Sequence, residues 1–283
     1  MKTIPLPFFF CLSLVYFLLG NGFPIQAEII DDLALKSRFQ KGLEGLHNAK
    51  KGKSLKELNL QLDRAITNVQ VPTTKKGTLD SSKFYENCKP SVLMIGRLYK
   101  CNKCTKWHIS SASGFAINNS GVVATNYHVV DSKDGVILGA MDHAGKTYAV
   151  TEVLAASKAD DVALIQLKDA RLKPLPLARK ASVGTPVSVI SHPDGRYFSM
   201  TKGDISRYYV DRSKSGKAPR MAITADYAKG SSGGPVLDNT GAVVGMVSAT
   251  NSIYYNLVKG RKENLQMVIK SCVPVEAIWK LIR

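Results

Sequence analysis

The sequence predicts an all-β fold, and three observations carry that reading. From Ser91 onward, short runs rich in Val and Ile alternate with clusters of Gly, Asn, Asp and Pro. Helical periodicity is nearly absent over the same stretch. The turn clusters recur at intervals that suit short strands wound into a sandwich or barrel.

The elements follow in chain order. Met1-Lys2 is a short basic start, Phe8 to Leu19 is an apolar run, and small and polar residues lead to Gln26-Ala27-Glu28. Residues 1–27 therefore read as an export signal cut near Ala27, with an uncleaved anchor as the alternative. Its removal takes away one charge, Lys2, from a formal net charge of +17. The basic residues are scattered and no aromatic-interleaved motif accompanies them, so no specific nucleic-acid partner is expected. No stable membrane span is expected after signal cleavage.

Residues 28–80 differ from the rest. Ile29, Ile30, Leu33, Leu35, Phe39, Leu43 and Leu46 recur at roughly helical spacing, and Leu55, Leu58, Leu60, Leu62 and Ile66 suggest a second short helix. This is a helical N-terminal extension with a polar linker, packed on the main domain by default. Strands are then expected over residues 91–99, 112–117, 121–125, 136–140, 147–154, 162–167, 186–191, 220–224, 242–248 and 265–269. Val275, Ile278 and Leu281 close the chain at helical spacing.

Cys88, Cys101, Cys104 and Cys272 follow the signal, and four cysteines allow three pairings. Export makes disulfides plausible. The favoured pairing is Cys101–Cys104 across a tight turn and Cys88–Cys272 between the start and end of the core. Zinc competes at Cys101-Asn102-Lys103-Cys104, but a second cysteine pair is missing, so no metal and no cofactor are expected.

The chemistry centres on Gly230-Ser231-Ser232-Gly233-Gly234-Pro235. Such a stretch is either a plain turn or a loop that presents a serine with backbone N–H groups converging beside it. A serine nucleophile needs a base, and the base needs an orienting acid. His128 follows the apolar run 121–125, where the chain leaves a strand. Asp161 opens the apolar run 162–167, with Asp160 as the alternative, because adjacent strand residues face opposite sides.

The order His128, Asp161, Ser232 resembles that of the chymotrypsin-like (trypsin-fold) serine proteases. Gly114-Phe115-Ala116-Ile117, the stretch from Val123 to Val130, Asp161-Val162-Ala163-Leu164 and the glycine-serine loop look most like the bacterial HtrA/Deg type. The resemblance covers roughly residues 85–283. It implies two six-stranded antiparallel β-barrels, over about 85–170 and 183–270, with a cleft between them and a linker near 168–183. It also implies His128, Asp161 and Ser232 as the triad and the N–H groups of Gly230 and Ser232 as the oxyanion hole. The activity so implied is a secreted or periplasmic serine endopeptidase acting on proteins or peptides, with an oligomer compatible. An inactive binding module of the same fold, or a holdase for unfolded chains, is the alternative.

Three departures from the pattern matter. Ser231 stands where zymogens of the trypsin type carry an Asp, so activation by an N-terminal cut is not expected. The chain ends about fifty residues after Ser232, so the PDZ domain usual in HtrA proteins is not expected. Asp226 lies where trypsin-type enzymes place a specificity-pocket acid, and it is read either as that acid or as a loop-fixing acceptor. By the same resemblance the segment from Gln266 to Ile269 pairs with substrate backbone, and Met267 and Val268 are either pocket walls or buried packing.

Overall fold

The computed structural model describes residues 29–74, 77–213, 216–258 and 260–283. The expected export signal lies outside them. Twelve strands make two closed barrels. The first comprises β1 (Val92–Lys100), β2 (Trp107–Ala116), β3 (Val122–Thr125), β4 (Ile137–Met141), β5 (Thr147–Ser157) and β6 (Val162–Leu167), in the order β1-β2-β3-β6-β5-β4. The second comprises β7 (Pro186–Ser191), β8 (Ser199–Ser213), β9 (Gly216–Ile223), β10 (Pro235–Leu237), β11 (Val243–Val258) and β12 (Arg261–Pro274), in the order β10-β11-β12-β9-β8-β7. All strand pairs are antiparallel.

Burial explains why the strands read as continuous apolar runs rather than alternating ones. In β3, Val123 points into the first barrel with Leu93, Ile95 and Ile165. Its neighbours Val122 and Ala124 point the other way, into a second core shared with Ile190, Leu237, Val243 and Val273 of the second barrel. Both faces of the strand are dry, so both parities are apolar. A third core, with Val187, Ile205, Met221 and Val244, fills the second barrel. The inter-barrel core is what brings the strand ends of the two barrels to a common cleft.

The helical extension joins the same compact unit, which runs from Asp31 to Arg283. Asp31 caps α1 (Asp32–Asn48) by accepting from the Ala34 N–H at 2.9 Å. Ile29 and Leu33 are exposed, so the apolar face begins later than the spacing suggests. Phe39 and Leu43 are fully buried, and Phe39 lies against Gly96, where an added Cβ would stand 2.5 Å from its ring. Ser54 and Glu57 form a capping box at α2 (Leu55–Asn59), whose Leu55 and Leu58 complete the first barrel's core. Beyond it, α3 (Phe84–Cys88) leads into β1, α4 (Tyr127–Val130) is a single turn after β3, and α5 (Val275–Trp279) closes the chain.

Two strands went unforeseen. β8 is rich in polar and charged residues, and β10 is a three-residue strand directly after the glycine loop. The hairpin of β11 and β12 also extends well past the barrel, with Ile253, Tyr255, Leu257 and Leu265 exposed, and the barrel-forming part of β12 is 270–274.

The cysteine pairing is corrected. Cys88 and Cys272 are free thiols in different cores, Cys88 between the barrels and Cys272 inside the second. Burial pushes the Cys88 thiol up to about 11 and the Cys272 thiol up to about 12, so both stay protonated. Cys101 and Cys104 are also free, with their sulfurs 3.4 Å apart.

Candidate active site

His128, Asp161 and Ser232 come from three separate elements. The helical turn α4 begins just after β3, because Asn126 keeps extended backbone and Tyr127 starts the turn. The Asn126 side chain donates to the Asp161 carbonyl at 2.9 Å and ties α4 to the start of β6. Asp161 has φ +60, the left-handed region that Asp tolerates better than most residues. That backbone turn separates the two acids. The Asp160 carboxylate goes to Ser157 and Lys280, and the Asp161 carboxylate goes to the cleft.

There Asp161 accepts from the His128 backbone N–H at 3.2 Å and faces His128 Nδ1 at 3.0 and 3.1 Å. A carboxylate at Nδ1 leaves Nε2 as the free basic nitrogen. Ser248 Oγ donates to the other side of the carboxylate at 2.6 Å. Sequence reasoning missed Ser248, for it sits at the end of the apolar run 243–247 with no motif around it.

Ser231 and Ser232 part company in the same way as the two acids. Ser231 is fully buried and its hydroxyl accepts from Ser191 at 3.0 Å, beneath the loop. Ser232 reaches the cleft, and its hydroxyl donates to the Ser248 carbonyl at 3.2 Å. His128, Gly230 and Ser232 line one cleft of about 250 Å³. Gly233, at φ +85, crosses against the Ser113 carbonyl and the Thr125 hydroxyl with no room for a side chain.

The backbone donors are set by one hydrogen bond. The Lys229 carbonyl accepts from the Asp194 N–H at 2.6 Å. The two ends of a trans peptide point in opposite directions, so the Gly230 N–H is turned away from Asp194. Among the described residues neither Gly230 N–H nor Ser232 N–H has a backbone acceptor. Ser113 braces the loop from the first barrel: its N–H donates to the Ser232 carbonyl at 2.8 Å and its hydroxyl to the Gly230 carbonyl at 3.1 Å.

The expected specificity residues lie together, but elsewhere. Asp226, Met267 and Val268 line a separate pocket of about 450 Å³ in the second barrel, without His128 or Ser232 among its walls. The Asp226 carboxylate pairs with Lys270 at 3.0 Å, and its carbonyl accepts from Thr201 at 2.6 Å. Met267 is 57% exposed, so it is not buried packing. On β11, the Ser248 carbonyl stands against the Ser232 hydroxyl.

The remaining histidines have other settings. His192 is completely buried with Nδ1 accepting from the Phe198 N–H at 3.0 Å, and burial lowers its pKa to about 4. His47 packs edge-on against Trp107, and His143 is exposed in a turn. His108 Nε2 faces both Cys101 and Cys104. The Lys103 backbone N–H, and after it Cys104, hold the Cys101 thiol below its ordinary value.

Comparison with known proteins agrees with the fold. The family model for the trypsin-like peptidase domain matches residues 112–246. An anti-sigma-I factor, RsgI9 of Acetivibrio thermocellus, is 36% identical over 50% of this chain and 19% of its own. Protease Do-like 1 of Arabidopsis thaliana is 32% identical over 50% of this chain and 34% of its own. The "Probable periplasmic serine endoprotease DegP-like" of Pseudomonas savastanoi is 28% identical over 66% of this chain and 38% of its own. The chain thus spans well under half the length of these curated relatives. The Rv3671c protease of M. tuberculosis in its active form shares the fold at a TM-score of 0.56 and 22% identity, over 75% of this chain and 90% of that one. Double barrel and cleft give this chain the chymotrypsin-like fold, and over residues 112–246 its sequence is similar to the trypsin-like peptidase domain, that of the HtrA-type proteases included.

Proposed function

We propose that the protein is a serine endopeptidase that cleaves peptide bonds through an acyl-enzyme on Ser232. One observation carries the reading: Asp161 fixes His128 through Nδ1 in the same cleft that holds Ser232 and the Gly230 N–H. The Ser232 hydroxyl rotates about its one side-chain bond from the Ser248 carbonyl toward His128, which lines the same cleft; apo geometry at such sites is commonly loose. His128 Nε2 takes the hydroxyl proton as Oγ attacks the carbonyl carbon. The tetrahedral oxyanion receives the N–H groups of Gly230 and Ser232, each contributing about 3 kcal/mol at sites of this kind. His128 then gives the proton to the leaving amine. Water, activated by the same imidazole, hydrolyses the ester. Asp161 holds the ring and stabilises its cation throughout.

Export to the periplasm or the outside goes with this reading. It is supported by the character of residues 1–27 and by the periplasmic placement in the DegP-like relative's name. Among the described residues no helix is long and apolar enough to cross a membrane.

The test is active-site labelling with a fluorophosphonate and cleavage of an unfolded protein substrate. Labelling and cleavage should both vanish in Ser232→Ala and in His128→Ala, with folding intact. In Asp161→Asn, turnover should fall by about 10⁴-fold. A folded protein that neither labels nor cuts, yet suppresses aggregation equally well as Ser232→Ala, would replace this reading with the holdase.

A further inference from the structure

At the far end of the β1–β2 hairpin, three side chains that the catalytic chemistry does not use converge on one point. His108 Nε2 lies 3.3 Å from Cys101 Sγ and 3.0 Å from Cys104 Sγ, and the two sulfurs are 3.4 Å apart. They are the one His, Cys or carboxylate cluster among the described residues whose donor atoms all lie within 4.8 Å of one another. We infer that Cys101, Cys104 and His108 form a binding site for a soft or borderline divalent cation of the zinc class, which clips this hairpin shut.

The chemistry of the donors selects the ion. Two thiolates and an imidazole nitrogen are the ligand set of zinc, and hard cations such as magnesium or calcium prefer oxygen. The triangle they make is small. A single ion reaches all three at zinc–sulfur and zinc–nitrogen lengths of about 2.3 and 2.0 Å by standing to one side of their plane. Three protein ligands would leave a fourth position for water, and the exposed Cys104 puts the cluster within reach of solvent.

Hairpin register builds the site. Tyr99 pairs with His108 and Lys100 with Trp107, so His108 stands one rung in from the turn that carries both cysteines. The Tyr99 ring lies 5.5 Å from the His108 ring on the same face of the hairpin, which limits how the imidazole can swing. Binding the cation releases the two thiol protons, and two thiolates against one divalent ion leave the cluster neutral.

The site also has a connection to the cleft. Two residues beyond His108, β2 supplies Ser110, Ser111 and Ala112 to the cleft wall, and then Ser113, which holds Ser232 and Gly230. A clip at the turn fixes the register of the strand that supports the glycine loop.

The test uses the full chain, reduced, stripped with a chelator and kept anaerobic. Titration with Co²⁺ should give a thiolate-to-cobalt charge-transfer band and the visible bands of a four-coordinate ion, saturating at one equivalent per chain, and Zn²⁺ should displace them. In Cys104→Ser and in His108→Ala the affinity should fall by at least about tenfold. Cys104 is on the surface, so its serine variant should keep the far-ultraviolet circular dichroism of the parent. Zinc should also protect Cys101 and Cys104, and not Cys88 or Cys272, from alkylation mapped by peptide mass. The inference is overturned if no charge-transfer band appears with both thiols titratable. A band that survives in the Cys104→Ser/His108→Ala double variant also overturns it. So does a Cys101–Cys104 disulfide that re-forms in air despite saturating zinc. None of these readouts depends on proteolysis.

Discussion

Ser248 donates to the Asp161 carboxylate at 2.6 Å while its carbonyl accepts the Ser232 hydroxyl at 3.2 Å. One residue of β11 therefore touches both the acid and the nucleophile, which belong to different barrels. A hydrogen bond to a charged group contributes about 1.5–3 kcal/mol. Ser248→Ala should lower kcat/KM by about tenfold or more with KM little changed, because Asp161 then holds His128 less firmly. Ser248→Thr, which keeps a hydroxyl, should recover part of the loss. Steady-state kinetics on a fluorogenic peptide decides it; equal rates for Ser248→Ala and the parent would show that the contact does not serve the chemistry.

The oxyanion loop rests on Gly230. Its φ of +96 is costly for any L side chain, and an added Cβ would stand 2.5 Å from the His192 carbonyl oxygen. Gly230→Ala must push the Lys229–Gly230 peptide off Asp194 and turn its N–H away from the cleft. Turnover should drop by about 10²–10³-fold, the usual effect of losing one donor. Labelling by a small fluorophosphonate should slow in parallel. Thermal unfolding separates this from global damage: the variant should still melt cooperatively.

The Asp226 carboxylate is paired with Lys270. An acid already matched by a lysine offers little to an arginine or lysine side chain of a substrate. Cleavage profiling on a peptide library should therefore show no basic preference for the parent. Lys270→Met frees the carboxylate and should move the profile toward Arg and Lys. Unchanged profiles in Lys270→Met and in Asp226→Asn would remove this pocket from substrate selection.

The all-β strands, and the places where His128 and Asp161 meet in the cleft, were legible because they are written in local contexts, while the two barrels came from the family resemblance. The runs 121–125 and 162–167 are buried on both faces, and His128 and Asp161 stand at their ends. What the sequence could not locate were contacts made by topology. Ser248 carries no motif and matters only because β11 passes between Asp161 and Ser232. β8 is polar and charged because much of it is exposed, so its periodicity is weak. The Cys88–Cys272 expectation assumed that the two ends of the core meet, and they pack into different cores. At the hairpin, the spacing of Cys101, Cys104 and His108 was visible, but only the pairing of Tyr99 with His108 turns the imidazole toward both sulfurs.

His192 gives the fold an acid limit. It is fully buried beneath the oxyanion loop, and its Nδ1 already accepts from the Phe198 N–H. A second proton would have to break that bond in a dry site, and burial lowers its pKa from 6.5 to about 4. Above about pH 6.5 both folded and unfolded states hold His192 neutral, and it adds no pH dependence. As pH falls from there toward 4, the unfolded chain takes up the proton and the folded one does not. Stability should fall by up to about 1.4 kcal/mol per pH unit from this residue, roughly 3 kcal/mol across the window, and level off below it. Urea unfolding at several pH values, for the parent and for His192→Gln, isolates the effect from the carboxylates common to both. The parent should show the steeper decline between pH 6.5 and 4; parallel curves would mean that His192 charges freely in the folded state.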